Sequence, residues 1–137
     1  MRKLDEIAGD IRTRLGTNFP TIRFSTAETS PQLINEIKAM SESRLPAVVA
    51  VLGSGEILDN ARHQSLKITL VLIDRFVAGS DDKAVSAWIN LQTLMDLFPA
   101  DVTEINGVFY IPRQFYAASG DPKYSCFAFE LEAHQGA

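Results

Sequence analysis

The sequence predicts an α+β domain, with a mostly antiparallel sheet and about three helices packed largely on one face of it. Apolar residues recur with helical spacing in three segments and with a period of two in several others. The helical segments are separated by groups of strands, and a long apolar strand runs into a long amphipathic helix over Gln64–Phe98. A chain of 137 residues can bury a sizeable core, so we expect a single domain over 1–137.

Two apolar stripes predict the first two helices. The first helix runs from Arg2 to about Leu15, with Gly16 as its natural stop. The second opens at Ser30-Pro31, a capping hydroxyl followed by proline at the first helical position, and should end near 41–44. The two stripes consist of Leu4, Ile7, Ala8, Ile11 and Leu15, and of Leu33, Ile34, Ile37 and Met40.

Two strands are predicted before the centre of the chain. Phe19–Thr26 alternates and indicates a short strand, in which Pro20 suits an edge position or a strand start better than a central position. Leu45–Leu52 is a nearly continuous apolar run and indicates a buried strand. We interpret Gly53-Ser54-Gly55 as a turn, because it lacks the Gly-Lys-Ser/Thr ending of a phosphate-binding loop. Glu56–Arg62 then reads as a loop or a short extra strand.

The strand over Gln64–Asp74 is predicted to lie in the centre of the sheet. Its even positions are uniformly apolar, whereas its odd positions are polar over 65–69 and apolar at Val71 and Ile73. One face of the strand should therefore lie in the core throughout, and the other should be buried only towards its end. The polar half of that second face must meet water, a lumen or another subunit.

The third helix is predicted to follow Ala78–Asp82, where Ser80 or Asp81 can cap its first turn, and to stop at Pro99. Its apolar surface is wide enough to require burial on the sheet and against a further neighbour. We expect Trp88 to belong to the core. The apolar positions are Val85, Trp88, Ile89, Leu91, Leu94, Met95, Leu97 and Phe98.

The end of the chain indicates a hairpin, a loop and a last strand. Asn106-Gly107 between two strand-like runs predicts a tight hairpin, because both turn residues accept positive φ. Pro112 and Arg113 break the pattern, and Gln114–Lys123 is interpreted as an exposed loop that could serve as a contact arm. Tyr124–Glu132 alternates again, with aromatic and leucine side chains on its core face and an increasingly acidic outer face.

Composition and charge narrow the classes of function. A formal charge of -4, a pI near 5.1 and the lack of a basic run argue against sequence-specific nucleic-acid binding. Cys126, the single cysteine, rules out an internal disulfide and is expected to be an inert thiol in a reducing compartment. With neither a signal peptide nor an apolar run long enough to span a membrane, the chain is expected to be soluble and made in the cytoplasm.

Residue chemistry offers little for catalysis. His63 and His134, the two histidines, are expected to be solvated, one at a strand entrance and one in a frayed tail. No cluster has metal-ligand spacing, so we expect no metal and no cofactor. Glu130 and Glu132 share a strand face and could act as an acid pair, bind a cation, or form a solvated strand end. An enzyme or small-molecule-binding domain using that pair with Tyr110 or Tyr124 therefore remains an alternative.

The order of these elements resembles the minor tail proteins of long-tailed bacteriophages, and more narrowly the tail-terminator and tail-completion group, including proteins of Mu-like prophages. The resemblance lies in an apolar strand closing in glycine (Leu45–Gly53), the strand Ile68–Arg75, a small acidic loop, a helix ending in Leu94–Phe98, and a terminal hairpin and strand. It implies a tail-terminator-like α+β subunit without catalytic residues. Such subunits form a ring, commonly a hexamer, that caps the tail tube.

The resemblance thus implies a virion-tail protein, made in the bacterial cytoplasm, with its own copies, the tube protein and the head-tail connector as partners. Two segments, Asp74–Asp82 and Gln114–Lys123, are the predicted contact regions, since ring interfaces need loops and mixed polar surfaces. A generic oligomeric adaptor remains a further alternative. The predicted interface residues are Arg75, Phe76, Asp81, Gln114, Phe115, Tyr116, Asp121 and Lys123.

Overall fold

A computed structural model describes residues 1–40, 42–60, 62–75, 81–99, 103–118 and 123–136. Its elements are α1 (Leu4–Asn18), β1 (Arg23–Ala27), α2 (Ser30–Ala39), a 3-10 turn (Glu42–Arg44), β2 (Ala47–Leu58), β3 (His63–Arg75), α3 (Asp81–Asp96), β4 (Thr103–Ile105), β5 (Val108–Ala117) and β6 (Tyr124–Gly136). The strands form one sheet in the order β1-β2-β3-β6-β5-β4. β1 and β2 pair in parallel and the other neighbouring strands pair antiparallel, which confirms the predicted α+β class.

One face of the sheet is covered by α1 and α3. The even positions of β3 from Leu66 to Leu72 are all buried against these helices. Arg14 Nε donates a hydrogen bond of 2.7 Å to the carbonyl of Leu97, which ties α1 to the end of α3. The other large side chains of this core are Ile7, Ile11, Leu15, Leu91, Leu94, Phe98, Val108, Tyr110, Phe129 and Leu131.

The opposite face is covered by α2 over part of its area. Val71 and Ile73 of β3 are buried there, whereas Lys67 is exposed and Ser65 and Thr69 are half-buried. This confirms both the central place of β3 and the drift in burial that its sequence predicts. The small core under α2 consists of Ala27, Ile37, Met40, Ala47, Val49, Val71, Ile73 and Cys126.

The predicted turn at Gly53-Ser54-Gly55 is wrong, because these residues lie inside β2, at an irregularity in its pairing with β3. The glycines serve close approach: a Cβ at Gly53 would lie 2.5 Å from the Glu28 carbonyl oxygen, and one at Gly55 2.6 Å from that of Ser65. β2 therefore runs on to Leu58. The chain turns at Asp59-Asn60, where both residues have positive φ.

The hairpin at Asn106-Gly107 is confirmed. Both residues have positive φ, 51° and 83°, and β4 and β5 pair across them. The Asn106 side chain also donates a hydrogen bond of 3.0 Å to Asp10, so the turn is anchored to α1. β4 and β1 are the outermost strands of the sheet, and the edge position predicted for the first strand is confirmed.

The helix ends differ in detail from those predicted. α1 continues through Gly16 to Asn18, and Thr29 caps α2 in place of Ser30, accepting a 3.4 Å hydrogen bond from the Gln32 amide. α2 ends at Ala39, before the predicted 41–44. None of the helices within the described ranges is long and apolar enough to cross a membrane.

Trp88 does not belong to the core. Its side chain is 60% exposed on α3, and Ile89 beside it is exposed as well. The sheet and α1 bury Leu91 and Leu94 instead. The apolar surface of α3 is wider than the strip that the sheet can cover. The spacing of its apolar residues therefore could not predict which of them are exposed.

The last third of the chain contains more strand than predicted. Pairing of β5 shifts register between Pro112 and Gln114, and this irregularity lets the strand continue through Ala117. The predicted loop from Gln114 is therefore wrong for its first four residues. β6 likewise extends to Gly136, so His134 lies in a paired strand and not in a frayed tail.

Candidate interaction surface

The area of the sheet that α2 leaves uncovered is mostly polar, and we call it the open face. Strand register places Lys67 between Ser54 and Glu132, and Thr69 beside Glu130. Because side chains alternate along a strand, these residues share the face that carries Val71 and Ile73 further along. The open face is defined as Ser54, Glu56, Ser65, Lys67, Thr69, Arg113, Gln114, Tyr116, Glu130, Glu132 and His134, with the apolar Leu58, Phe109 and Ile111 at its margin.

Glu132 makes contacts with three side chains. Its carboxylate accepts hydrogen bonds of 2.8 Å from Arg113 Nε and 3.5 Å from Ser65 Oγ, and His134 Nε2 lies 2.6 Å away. The hydrogen bond from Arg113 is the main reason that the pKa of Glu132 is lowered, and the contact with His134 adds to it. Glu132 is therefore ionised, and Arg113 of the neighbouring strand β5 balances its charge.

Glu130, two residues earlier on the same face, is held by β5. Its carboxylate accepts hydrogen bonds of 2.7 Å from Gln114 Nε2 and 3.1 Å from the Tyr116 hydroxyl. Partial burial, followed by the bond to Glu130, raises the pKa of Tyr116. The tyrosine thus keeps its proton and remains a donor across the physiological range.

A shallow pocket of about 320 Å³ opens on this face, with acids and bases around it. The Lys67 ammonium has no ion-pair partner within the part of the chain that the structure describes. Charges on an open, hydrated surface interact weakly and reversibly. The pocket therefore suits contact with another charged surface better than closed acid-base chemistry. Its charged lining residues are Glu56, Lys67, Arg113, Glu130 and Glu132.

The structure does not bring together the groups of the enzymatic alternative. Tyr110 is buried on the opposite face of the sheet, and the Tyr124 hydroxyl donates a hydrogen bond of 2.6 Å to the Met40 carbonyl. Tyr116, which sequence reasoning did not connect with the acids, is the tyrosine at Glu130. Among the described residues, no group of three or more His, Cys, Asp and Glu side chains could hold a metal ion.

Five of the predicted interface residues can be placed on the surface. Gln114, Phe115 and Tyr116 are exposed along β5. Arg75 ends β3 opposite the start of β6, so it and the exposed Lys123 lie at the same end of the sheet. The remaining three are less informative: Asp81 is the first residue of α3, its side chain is outside the described part, and Phe76 and Asp121 lie outside it altogether.

Sequence reasoning missed the exposed end of β2. Ile57 and Leu58 lie there with large exposed apolar side chains, and Phe109 is similarly exposed on β5. The alternation of Ser54, Glu56 and their neighbours could have indicated a strand, but the glycines on either side of Ser54 obscured it.

No protein-family model matches this chain, and no curated protein matches it in sequence. Function must therefore be inferred from the sheet, its open face and its exposed edges.

Proposed function

We propose that this chain is a structural protein of a bacteriophage or prophage tail, a tail terminator whose copies form a ring that caps the tail tube. The observation that carries the proposal is the open face. The long strands β2, β3 and β6 present it over half their length, and no described helix covers it. A ring of identical subunits that acts by geometry needs an extended, rigid surface from each copy to form the wall of its lumen, and the open face is such a surface.

The charges of the open face suit a lumen through which DNA passes. Glu56, Glu130 and Glu132 supply three acids against Lys67 and Arg113. Surfaces that retain DNA are strongly basic, because affinity comes from neutralising phosphates. A face with a small excess of acids, on a chain of net charge -4, would let DNA slide past without binding.

The proposed partners are copies of this chain, a tail-tube protein and a head-tail connector, without a cofactor and without catalysis. The ring, a hexamer by the resemblance, would be made in the bacterial cytoplasm and become part of the virion tail. The end of the sheet that carries Arg75 and Lys123 is a suitable contact for the tube. Phe76, Asp81 and Asp121 stay predicted contact residues.

A polymerisation assay tests this function. Tail-tube protein is allowed to polymerise with and without the purified chain, and tube lengths are measured by electron microscopy. Capping should shorten the tubes, and the double variant Arg75→Ala with Lys123→Ala should cap less well while keeping the oligomer mass. Lys3→Ala with Arg62→Ala is the matched control, because it removes the same two kinds of charge from exposed positions at the opposite end of the sheet. Tube lengths unaffected by the unmodified chain would contradict the proposal.

A second candidate function is small-molecule binding, favoured by the pocket in which Lys67 faces Glu130 and Glu132. A charged metabolite bound there should raise the melting temperature, and Lys67→Ala should abolish the rise. A generic oligomeric adaptor would instead self-associate without affecting tube length.

A further inference from the structure

β2 and β5 are much longer than the edge strands β1 and β4 that pair with them, so part of each has no partner among the described residues on that side. β1 pairs with β2 over Ala47–Val51, and β4 pairs with β5 over Val108–Tyr110. Beyond these ranges, no described residue pairs with the outer edge of either strand. We define the β2 edge as residues 54–58 and the β5 edge as residues 113–117. Unpaired backbone groups in such edges are templates for another strand.

Apolar side chains accumulate at these two edges. Natural edge strands are commonly protected by charge, by proline or by a covering loop. Here Ile57 is 73% exposed and Phe115 57%, and Leu58 and Tyr116 are exposed beside them. Together with Phe109, they make up all the large exposed apolar side chains found on the described strands. Such side chains at open edges indicate surfaces that are covered in an assembly.

We propose that the sheet of one copy continues into the sheet of the next, by antiparallel pairing of the β2 edge with the β5 edge of a neighbouring copy. The two edges face outward at opposite ends of the strand order. Each copy can therefore present its β2 edge to one neighbour and its β5 edge to the other. β2 and β5 also run in opposite directions, because three antiparallel steps separate them. The contact is therefore heterologous, and it rests on the proposed function for its closure into a ring.

Side-chain alternation restricts the register of this contact. Glu56 and Gln114 both lie on the open face, whereas Phe115 lies on the helix-covered face opposite Phe129. A continuous sheet must match these faces, so Glu56 can face Gln114 or Tyr116 but not Phe115. Pairing with Gln114 also places the Glu56 carboxylate beside the Arg113 guanidinium, which complements its charge.

An apolar groove lies beside the β5 edge on the helix-covered face. Its volume is about 370 Å³, and it separates the end of α3 from β5. Ile57 points to this same face, since it pairs with Gln64, which is an even position of β3 like the buried Leu66. With Glu56 at Gln114, the neighbour's Ile57 reaches the groove near Pro112. The apolar residues of the groove are Met95, Phe98, Pro99, Pro112, Phe115 and Phe129.

The offset between the two edges fits a closed ring. The strand register places Glu56 at the level of His134 of β6. It places Gln114 at the level of Glu130, which is four residues nearer the start of β6. An offset of four residues across four strands corresponds to a strand tilt of about 35° from the ring axis. Closed sheets have strand tilts of about 35–45°. Copies can therefore join edge to edge without climbing along the axis.

Disulfide cross-linking tests the contact. The single variants Glu56→Cys and Gln114→Cys are oxidised alone and mixed, at high protein concentration and on tail tubes. The mixture should give a covalent dimer, and a chain carrying both cysteines should give a ladder that ends at the ring size. Each variant alone should stay at the level of the unmodified chain, whose Cys126 is 5% exposed. Glu56→Cys mixed with Phe115→Cys is the matched control and should give roughly tenfold less dimer, because those side chains lie on opposite faces.

The outcomes separate this contact from the proposed function. Self-cross-linking of a single variant as strong as that of the mixture would mean a two-fold interface and overturn edge pairing. Oligomers seen by light scattering without the Glu56–Gln114 disulfide would overturn it too, while leaving a ring in place. Cross-linked ladders from a chain that does not change tube length would support edge pairing and contradict the tail function.

Discussion

The guanidinium of Arg2 donates two hydrogen bonds to the carboxylate of Asp10, from Nη2 to Oδ1 at 2.6 Å and from Nε to Oδ2 at 3.1 Å. Asn106 donates a third hydrogen bond to the same acid from the β4–β5 turn. The backbone of Arg2 is in turn held by the side chain of Gln135 on β6. Asp10, a buried acid of α1, thus connects the start of the chain with the β4–β5 turn.

Asp10→Ala should destabilise the fold by about 2 kcal/mol, because hydrogen bonds to a buried charged group contribute more than neutral ones. Chemical denaturation measures the change. Glu6→Ala is the comparison: Glu6 contacts the same guanidinium with a side chain that is 40% exposed, and it accepts a 3.0 Å hydrogen bond from the Lys3 amide at the start of α1, so its loss should cost about 1 kcal/mol. Equal losses in the two variants would show that burial of Asp10 contributes nothing.

Asp74 links the end of β3 to α3. Its side chain is 4% exposed and accepts hydrogen bonds of 2.8 Å from Asn90 Nδ2 and 2.7 Å from the Arg75 amide. Asn90→Ala should cost about 1–2 kcal/mol, because it removes a donor from a buried carboxylate. Gln92→Ala removes an exposed side chain bonded to Asp96 on the same helix and should be nearly neutral. Thermal unfolding of the two variants should separate them, and similar melting temperatures would contradict this role of Asn90.

Two tyrosines should respond in opposite ways to loss of the hydroxyl. The Tyr110 hydroxyl is buried without a hydrogen-bond partner among the described residues, so Tyr110→Phe should be neutral or stabilise by up to about 1 kcal/mol. Tyr124→Phe loses the bond to the Met40 carbonyl and should destabilise by about 1 kcal/mol. Urea midpoints of both variants are the measurement. A marked loss of stability in Tyr110→Phe would reveal a partner for that hydroxyl.

Glu132 should make stability depend on pH in the acid range. Its pKa is lowered from the ordinary value of 4.5, so the folded state binds its proton less tightly than the unfolded state. The stabilisation is complete above 4.5 and is lost as pH falls through the lower pKa of the folded state. Urea midpoints measured between neutral pH and pH 3 should therefore fall less steeply for Glu132→Gln than for the unmodified chain. If the urea midpoints of the two proteins fell equally steeply with decreasing pH, the lowered pKa of Glu132 would be contradicted.

Period and turn chemistry predicted the centre of this fold from sequence. β3 alternates cleanly because one of its faces is buried throughout, and Asn106-Gly107 must turn because both residues accept positive φ. Gly53 and Gly55 misled the interpretation, because glycine also serves close packing inside a strand, and here a neighbouring carbonyl needs the space. Composition alone does not separate these two uses.

The candidate surface was less accessible to sequence reasoning. That Glu130 and Glu132 share a face follows from alternation, but their contacts with Tyr116 and Arg113 depend on an irregularity in β5 at which Pro112 and Arg113 are interpreted from sequence as the end of the strand. The exposure of Trp88 depends on how much of α3 the sheet can cover. Burial of an apolar residue is a property of the packed fold, and its spacing supplies only the candidates.

Tail length in virions made without this chain is the decisive measurement. The gene is deleted from the genome of the phage or prophage that the proposed function implies, and the particles produced are measured by electron microscopy. A terminator leaves overlong tail tubes without attached heads when it is missing, and the unmodified gene supplied in trans should restore the normal length. Headed virions with tails of normal length from the deletion strain would contradict the proposed function.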